Sequence, residues 1–170
     1  MKRLPLLGMS LVFIAVSVIP ALGLDQAIVR ALETTLDDEY KAEALYAGVI
    51  ADFGEVRPFS RIIGAERRHQ EALLNLFAAY DLDVPENRWS IEDVPRFASI
   101  EEACEAGARA EIDNAALYDD YLSLDLPTDI RRVFENNQWA SRHNHLMAFQ
   151  RCGDGCSGSG GGRGGRGHGR

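Results

Sequence analysis

Cysteine is scarce in this chain: three residues in 170, Cys104, Cys152 and Cys156, with no CxxC pair among them. A cysteine-ligated iron module for electron transfer is therefore excluded, and any redox cycle needs an external electron donor. Basic residues are also in short supply. With both termini set aside (Lys2, Arg3, Arg163, Arg166, Arg170 and Asp154), thirteen Lys and Arg stand against twenty-five Asp and Glu, a charge of about −12. A body this acidic argues against nucleic-acid binding, which runs on contacts to phosphate, and suits cations or simply solubility. Long apolar runs are missing after the first residues, so no later segment could span a bilayer. Glycine is sparse along the middle, because ten of the sixteen fall between residues 153 and 170.

Both ends read as separate from the fold. The opening "MKRLPLLGMSLVFIAVSVIPALG" has a basic start, an apolar run from Leu4 to Ile19 and a small-residue finish. That is the pattern of a secretory signal peptide over residues 1–23, cleaved after Gly23, and it implies export to a periplasmic or extracellular space. An uncleaved membrane anchor is the rival reading. The tail, residues 153–170, carries no large apolar side chain, and its composition predicts disorder. An arginine-glycine tract can bind nucleic acid, but behind an exported acidic domain a solvated linker is the better expectation. Residues 24–152 remain as one domain.

Within that domain four segments have helical periodicity. Ile28, Leu32, Leu36, Leu45, Val49 and Ile50 recur at helical spacing from Asp25 to Phe53, and Gly54 supplies the stop. Pro58 opens a second helix that runs to about Tyr80. Residues 81–98 hold two prolines and no sustained period. Ser99 with Glu102 then forms a capping box for a third helix reaching about Leu122, and after "DLPTD" a fourth runs to about Cys152. Short loop, long crossover, short loop is the ferritin-like arrangement of an all-α four-helix bundle, with the long crossover between helices 2 and 3. A plain up-down bundle with a long middle loop is the alternative.

The stripes expected to face the core are apolar at their ends and polar in the middle. The first reads Leu32, Leu36, Glu39, Glu43, Tyr46, Ile50; the second contains Glu66, His69 and Gln70; the third contains Glu111 and Tyr118; the fourth contains Asn137, Ser141 and His145. Carboxylates inside a bundle cost several kcal/mol each, as a rough figure, unless a cation neutralises them. Glu66 and His69, three apart in "GAERRHQEAL", can reach one metal from one helix face. Counting residues outward from the turns places all these groups within one band along the bundle. The count does not decide between Glu39 and Glu43. Tyr46 and Tyr118 are each seven residues beyond an acid on the same stripe, where packing is the commoner role for a tyrosine.

The segments "LDDEYKAEALY", "RPFSRIIGAERRHQEALLNLF", "AGARAEIDNAALYD" and "HLMAFQRC" resemble those of an uncharacterised prokaryotic ferritin-like family related to the rubrerythrins. The resemblance covers residues 30–152. It implies a carboxylate-bridged di-iron or related two-metal centre, with Glu39, Glu66, His69, Glu111 and His145 at ligand positions, and it favours Glu39 over Glu43. The departure is on the fourth helix, where Arg142 stands three residues before His145 in place of an acid. Glu43 is then the candidate for the missing sixth ligand.

Three functions follow from this reading. One is a ferroxidase or peroxidase that works with dioxygen or peroxide and an external donor. Another is a module that binds metal without turnover. The last is a metal-free bundle in which Arg142 pairs with the buried acids. Iron is the metal the resemblance implies, while the donor set also admits manganese or zinc. A homo-oligomer is compatible with the chain. For the cysteines, the level count disfavours Cys104 with Cys152, an offset of nearly two turns, and prefers Cys152 with Cys156.

Overall fold

The computed structural model describes residues 23–153; apart from Gly23 and Gly153, the expected signal peptide and Gly/Arg tail, with Cys156, lie outside the described residues. Among these residues all regular structure is helical: α1 (Gln26–Phe53), α2 (Phe59–Ala79), α3 (Ile100–Leu122), α4 (Thr128–Ala140), a π-helical turn (Ser141–His145) and α5 (Leu146–Gly153). The last three form one continuous fourth helix, since Ala140, Ser141 and Leu146 all keep right-handed helical dihedrals across the joins. The all-α expectation holds, and each helix ends within a residue or two of where periodicity placed it.

Local chemistry sets the ends. Asp25 accepts from the Ala27 amide at 2.7 Å and so satisfies one of the free donors at the start of α1. Gly54 leaves α1 with a φ of 81°, a conformation that a side chain would resist. Ser99 accepts from the Glu102 amide at 3.2 Å, while the Glu102 carboxylate reaches back to the Ala98 amide at 2.8 Å. The capping box is thus present, with its return bond one residue earlier than the usual pattern.

Side-chain bonds between helices fix their directions. Tyr46 donates to Glu111 and Tyr118 donates to Glu39, so α1 and α3 run antiparallel. Arg67 and Gln70 bond Glu43 while His69 faces Glu39, so α1 and α2 are antiparallel as well. Helices α2 and α3 therefore point the same way, and the chain must travel the length of the bundle between them. It climbs along α1. Arg88 and the Trp89 indole bond Asp37, Val94 packs over Gly48, and Arg96 pairs with Asp52. The ascending order on both partners makes residues 80–99 a fastened strap rather than a loose loop.

The core is split in two. One apolar cluster holds Leu32, Leu36, Leu73, Phe77, Ile130 and Phe134. The other holds Tyr46, Val49, Phe59, Cys104 and Phe149. Between them lies a belt of buried polar side chains from all four walls. A disulfide joins Cys104 to Cys152, with Cα atoms 5.8 Å apart, and ties α3 to α5. This overturns the preference for Cys152 with Cys156. The level count assumed a uniform rise along the fourth helix; the π turn uses residues without their full rise, which removes part of the supposed offset.

Candidate metal centre

The polar belt brings together five residues singled out from the sequence: Glu39, Glu66, His69, Glu111 and His145, each no more than 9% exposed. They fall into two groups of three, Glu39–Glu66–His69 and Glu66–Glu111–His145. Within each group one potential ligand atom per residue lies within 4.8 Å of the others. Glu66 belongs to both. Its Oε2 is 3.1 Å from His69 Nδ1, which is also 3.2 Å from Glu39 Oε2. Its Oε1 is 3.1 Å from His145 Nδ1, which is 3.4 Å from Glu111 Oε2.

These contacts do not all satisfy their atoms. Glu66 Oε1 and His145 Nδ1 are fully buried, and although they lie close, neither makes a hydrogen bond of acceptable geometry. Unsatisfied buried polar atoms are rare in folded proteins and call for an explanation. A cation held between these oxygens and nitrogens is one explanation, and the donor set (three carboxylates and two imidazoles) fits a divalent transition metal.

A further layer of hydrogen bonds orients the acids. Tyr46 donates to Glu111 Oε1 at 2.6 Å, and Tyr118 to Glu39 Oε1 at 2.8 Å. Asn137 in turn donates to the Tyr118 oxygen at 3.0 Å. Burial, together with the adjacent Glu111 and Glu39 charges, pushes both phenols well above their ordinary range, so both remain donors. The tyrosines pack, as expected, and their hydroxyls also hold carboxylates in place.

The titration behaviour follows from enclosure. Burial raises the Glu39 carboxyl to about 7, against the opposing hydrogen bond to His69. At Glu66 burial acts upward too, but the contacts from His145 and His69 outweigh it and hold this carboxyl below its usual range. Burial disfavours charge on the histidines, yet their carboxylate neighbours prevail: His69 is raised to about 10 and His145 to about 9. The protonated imidazoles thus balance much of the acid charge.

Glu43 is not brought into either group. It accepts from Arg67 Nε at 2.7 Å and Gln70 Nε2 at 2.8 Å on the flank of α1 and α2. Arg142 does not turn inward either; it pairs with Asp119 on the surface. The cause is the π turn, closed by the Leu146 amide bonding the Ser141 carbonyl five residues back. Wider winding aligns a four-residue spacing with one face, so Ser141 shares the buried side with His145 and Arg142 rotates out.

Asp38 escaped the sequence reading. It lines a cavity of about 50 Å³ between α1 and α3, together with Tyr46, Glu66 and Glu111, room for a water or two. Asn114 donates to Asp38 at 2.9 Å and accepts from Ser141 at 2.7 Å. Burial raises the Asp38 carboxyl to about 6, partly countered by Asn114. The available signal was the run Asp37-Asp38-Glu39: α1 packs on both α2 and α3, so two of its faces are interior.

No protein-family model and no curated protein matches the chain. Among solved structures, the hypothetical protein MJ0754 from Methanococcus jannaschii DSM 2661 is similar, with a TM-score of 0.70 at 23% identity over 81% of this chain and 86% of that one. At that identity the likeness speaks to the all-helical fold alone.

Proposed function

We propose that the protein binds two metal ions in a carboxylate-bridged centre, with Glu66 as the bridge, Glu39 and His69 serving one ion, and Glu111 and His145 the other. The observation that carries this reading is the sharing of Glu66 between two groups of buried ligand atoms. The unsatisfied Glu66 Oε1 and His145 Nδ1 support it, since both gain a partner when a cation lies between them. The hydrogen bonds from Tyr46 and Tyr118 are what orients ligating carboxylates in metal sites generally.

On the same reading the chain is an exported ferritin-like protein of the rubrerythrin-related kind, in keeping with its α1–α2, crossover, α3–α5 order and its N-terminal sequence. Iron is the metal that resemblance favours. A bound iron pair would supply one-electron chemistry toward ferrous ion, dioxygen or peroxide. The protein's own residues would orient the carboxylates, exclude bulk water and keep the tyrosine protons in place. Asp38 adds a fourth acid beside the Glu111 side of the site.

A second reading has a specific observation behind it: the raised His69 and His145 balance the acids without metal. It replaces the expectation that Arg142 does so. Metal analysis separates the two. The two-metal reading expects about two ions per chain in the parent and loss of both in Glu66→Gln, because the bridge serves both sites. A parent without metal, even after incubation with ferrous, manganous and zinc ions, would refute it. Metal retained in full by Glu66→Gln would refute the bridging role.

A further inference from the structure

The opposite side of the bundle carries a feature that the metal reading does not use. A groove of about 550 Å³ runs between α2 and the fourth helix, lined by Arg61, Arg68, Arg151, His143 and Met147, with His145 in its wall. His145 directs Nδ1 at Glu66 and Glu111, while its ring also borders this groove.

The charge of the groove runs against that of the protein. The chain carries a net −8, yet three guanidinium groups and two imidazoles converge here, and among the described residues no carboxylate lines the groove. The arginines that form ion pairs among the described residues are Arg67, Arg88, Arg96, Arg109 and Arg142, and none of them lines the groove. Arg61 and Arg68 are seven residues apart on α2, two turns and about 10 Å along one face. Arg151 approaches from α5 on the other wall.

Guanidinium groups with no carboxylate partner among the described residues, set around a concavity, suit bidentate contact with carboxylate or phosphate oxygens. The volume is that of a small-molecule site, since such sites run to roughly 300–1,000 Å³. The separation of the arginines favours an anion with several charged groups over a single ion. The Gly/Arg tail has the wrong sign to fill it. We propose that this groove binds a small organic or inorganic polyanion bearing two or more carboxylate or phosphate groups, next to the outer side of His145. By linkage, an occupant there that alters metal affinity has its own affinity altered by the same factor.

Isothermal titration of citrate and of pyrophosphate, on protein as purified and again after metal removal, tests this. The two probes separate carboxylate from phosphate as the preferred chemistry. Saturable one-to-one binding is expected in both protein states, with Arg61→Ala, Arg68→Ala and Arg151→Ala each weakening it by roughly tenfold. Arg96→Ala, which removes a guanidinium fastened to Asp52 elsewhere, should leave it unchanged. Circular dichroism confirms that each exposed-arginine variant stays folded. Glu66→Gln should keep the polyanion whatever becomes of the metal, so the two proposals fail independently. Absence of binding by either probe at millimolar concentration, or equal weakening by Arg96→Ala, would overturn the inference. So would an acidic peptide that binds tighter than both probes with the same arginine dependence, since the groove would then be a protein-docking surface.

Discussion

The rings of His69 and His145 lie 5.5 Å apart and within 25° of parallel, presented by α2 and by the π turn of the fourth helix. Two imidazoles this close repel one another when both are protonated, and the Glu66 carboxylate, within 3.1 Å of each Nδ1, is the anion that makes the pairing tolerable. The same geometry makes two linked ligand sets out of one bridge.

That arrangement predicts unequal consequences for the three acids. Glu39→Gln and Glu111→Gln each remove an oxygen from one set only, so each should leave about one ion per chain when parent protein holds two. Glu43→Gln should leave loading unchanged, because its carboxylate is occupied by Arg67 and Gln70. Metal-to-protein ratios from elemental analysis check all three. Loss of a whole equivalent in Glu43→Gln would restore the sequence-based assignment of Glu43 as the sixth ligand.

Protonation gives a second prediction, for the metal-free protein. His69 and His145 titrate near 10 and 9 when folded, above the ordinary 6.5. Groups with raised pKa contribute stability that is complete below the unfolded value and disappears as pH climbs through the folded one. Glu39, raised to about 7, acts in the same direction over a lower range, its contribution fading between 4.5 and 7. Stability without metal should therefore fall from pH 6.5 to pH 10, by a few kcal/mol as an order of magnitude. Urea midpoints at pH 6.5, 8 and 9.5 measure this. Metal-loaded protein should not share the alkaline loss, since ligation requires the deprotonated imidazole. A flat profile in metal-free protein would exclude the two imidazolium groups as its charge balance.

The four helices and the depth of the polar belt were legible because both depend on spacing alone. Apolar residues at three and four fix each inward face, and Glu39, Glu66, His69, Glu111 and His145 interrupt those faces at one level. The π turn was not legible. Nothing in "SRHNH" marks a wider turn, and a uniform helix sets Arg142 on the face of His145, where an acid is missing from the expected pattern. One inserted geometry thus explains both the misplaced Arg142 and part of the miscounted cysteine level. Asp38 was missed for another reason. A single inward stripe was assigned to α1, whereas a helix packed between two neighbours and fastened to a crossover strap has almost no fully exposed face there.

The Cys104–Cys152 bridge closes a loop of 48 residues in sequence separation. A loop of this length is worth about 2–4 kcal/mol through its effect on the unfolded chain. Reduction, or Cys104→Ala with Cys152→Ala, should lower the denaturant midpoint by a corresponding amount. Cys156→Ala should leave the oxidised midpoint where it is. Peptide mapping of the non-reduced protein gives the direct check, and a Cys152–Cys156 peptide in place of the 104–152 pair would contradict the structure.

Gly107 offers the sharpest steric prediction. A Cβ built there would come within 2.7 Å of two carbons of the Phe149 ring, closer than real contacts allow. Phe149 cannot readily withdraw: it is fully buried, with its ring centre 5.2 Å from that of Tyr46 and 5.0 Å from that of Phe59. Alanine is the better helix former by about 1 kcal/mol, while overpacking a core costs about 1–3 kcal/mol. Sterics should win, so Gly107→Ala is expected to lower the urea midpoint, with a net loss of stability of up to about 2 kcal/mol. Adding Phe149→Leu should recover part of the loss, giving a favourable coupling in the double-mutant cycle. Additive effects would mean that Gly107 and Phe149 do not press on one another, and that α3 and α5 owe their close approach to the disulfide alone.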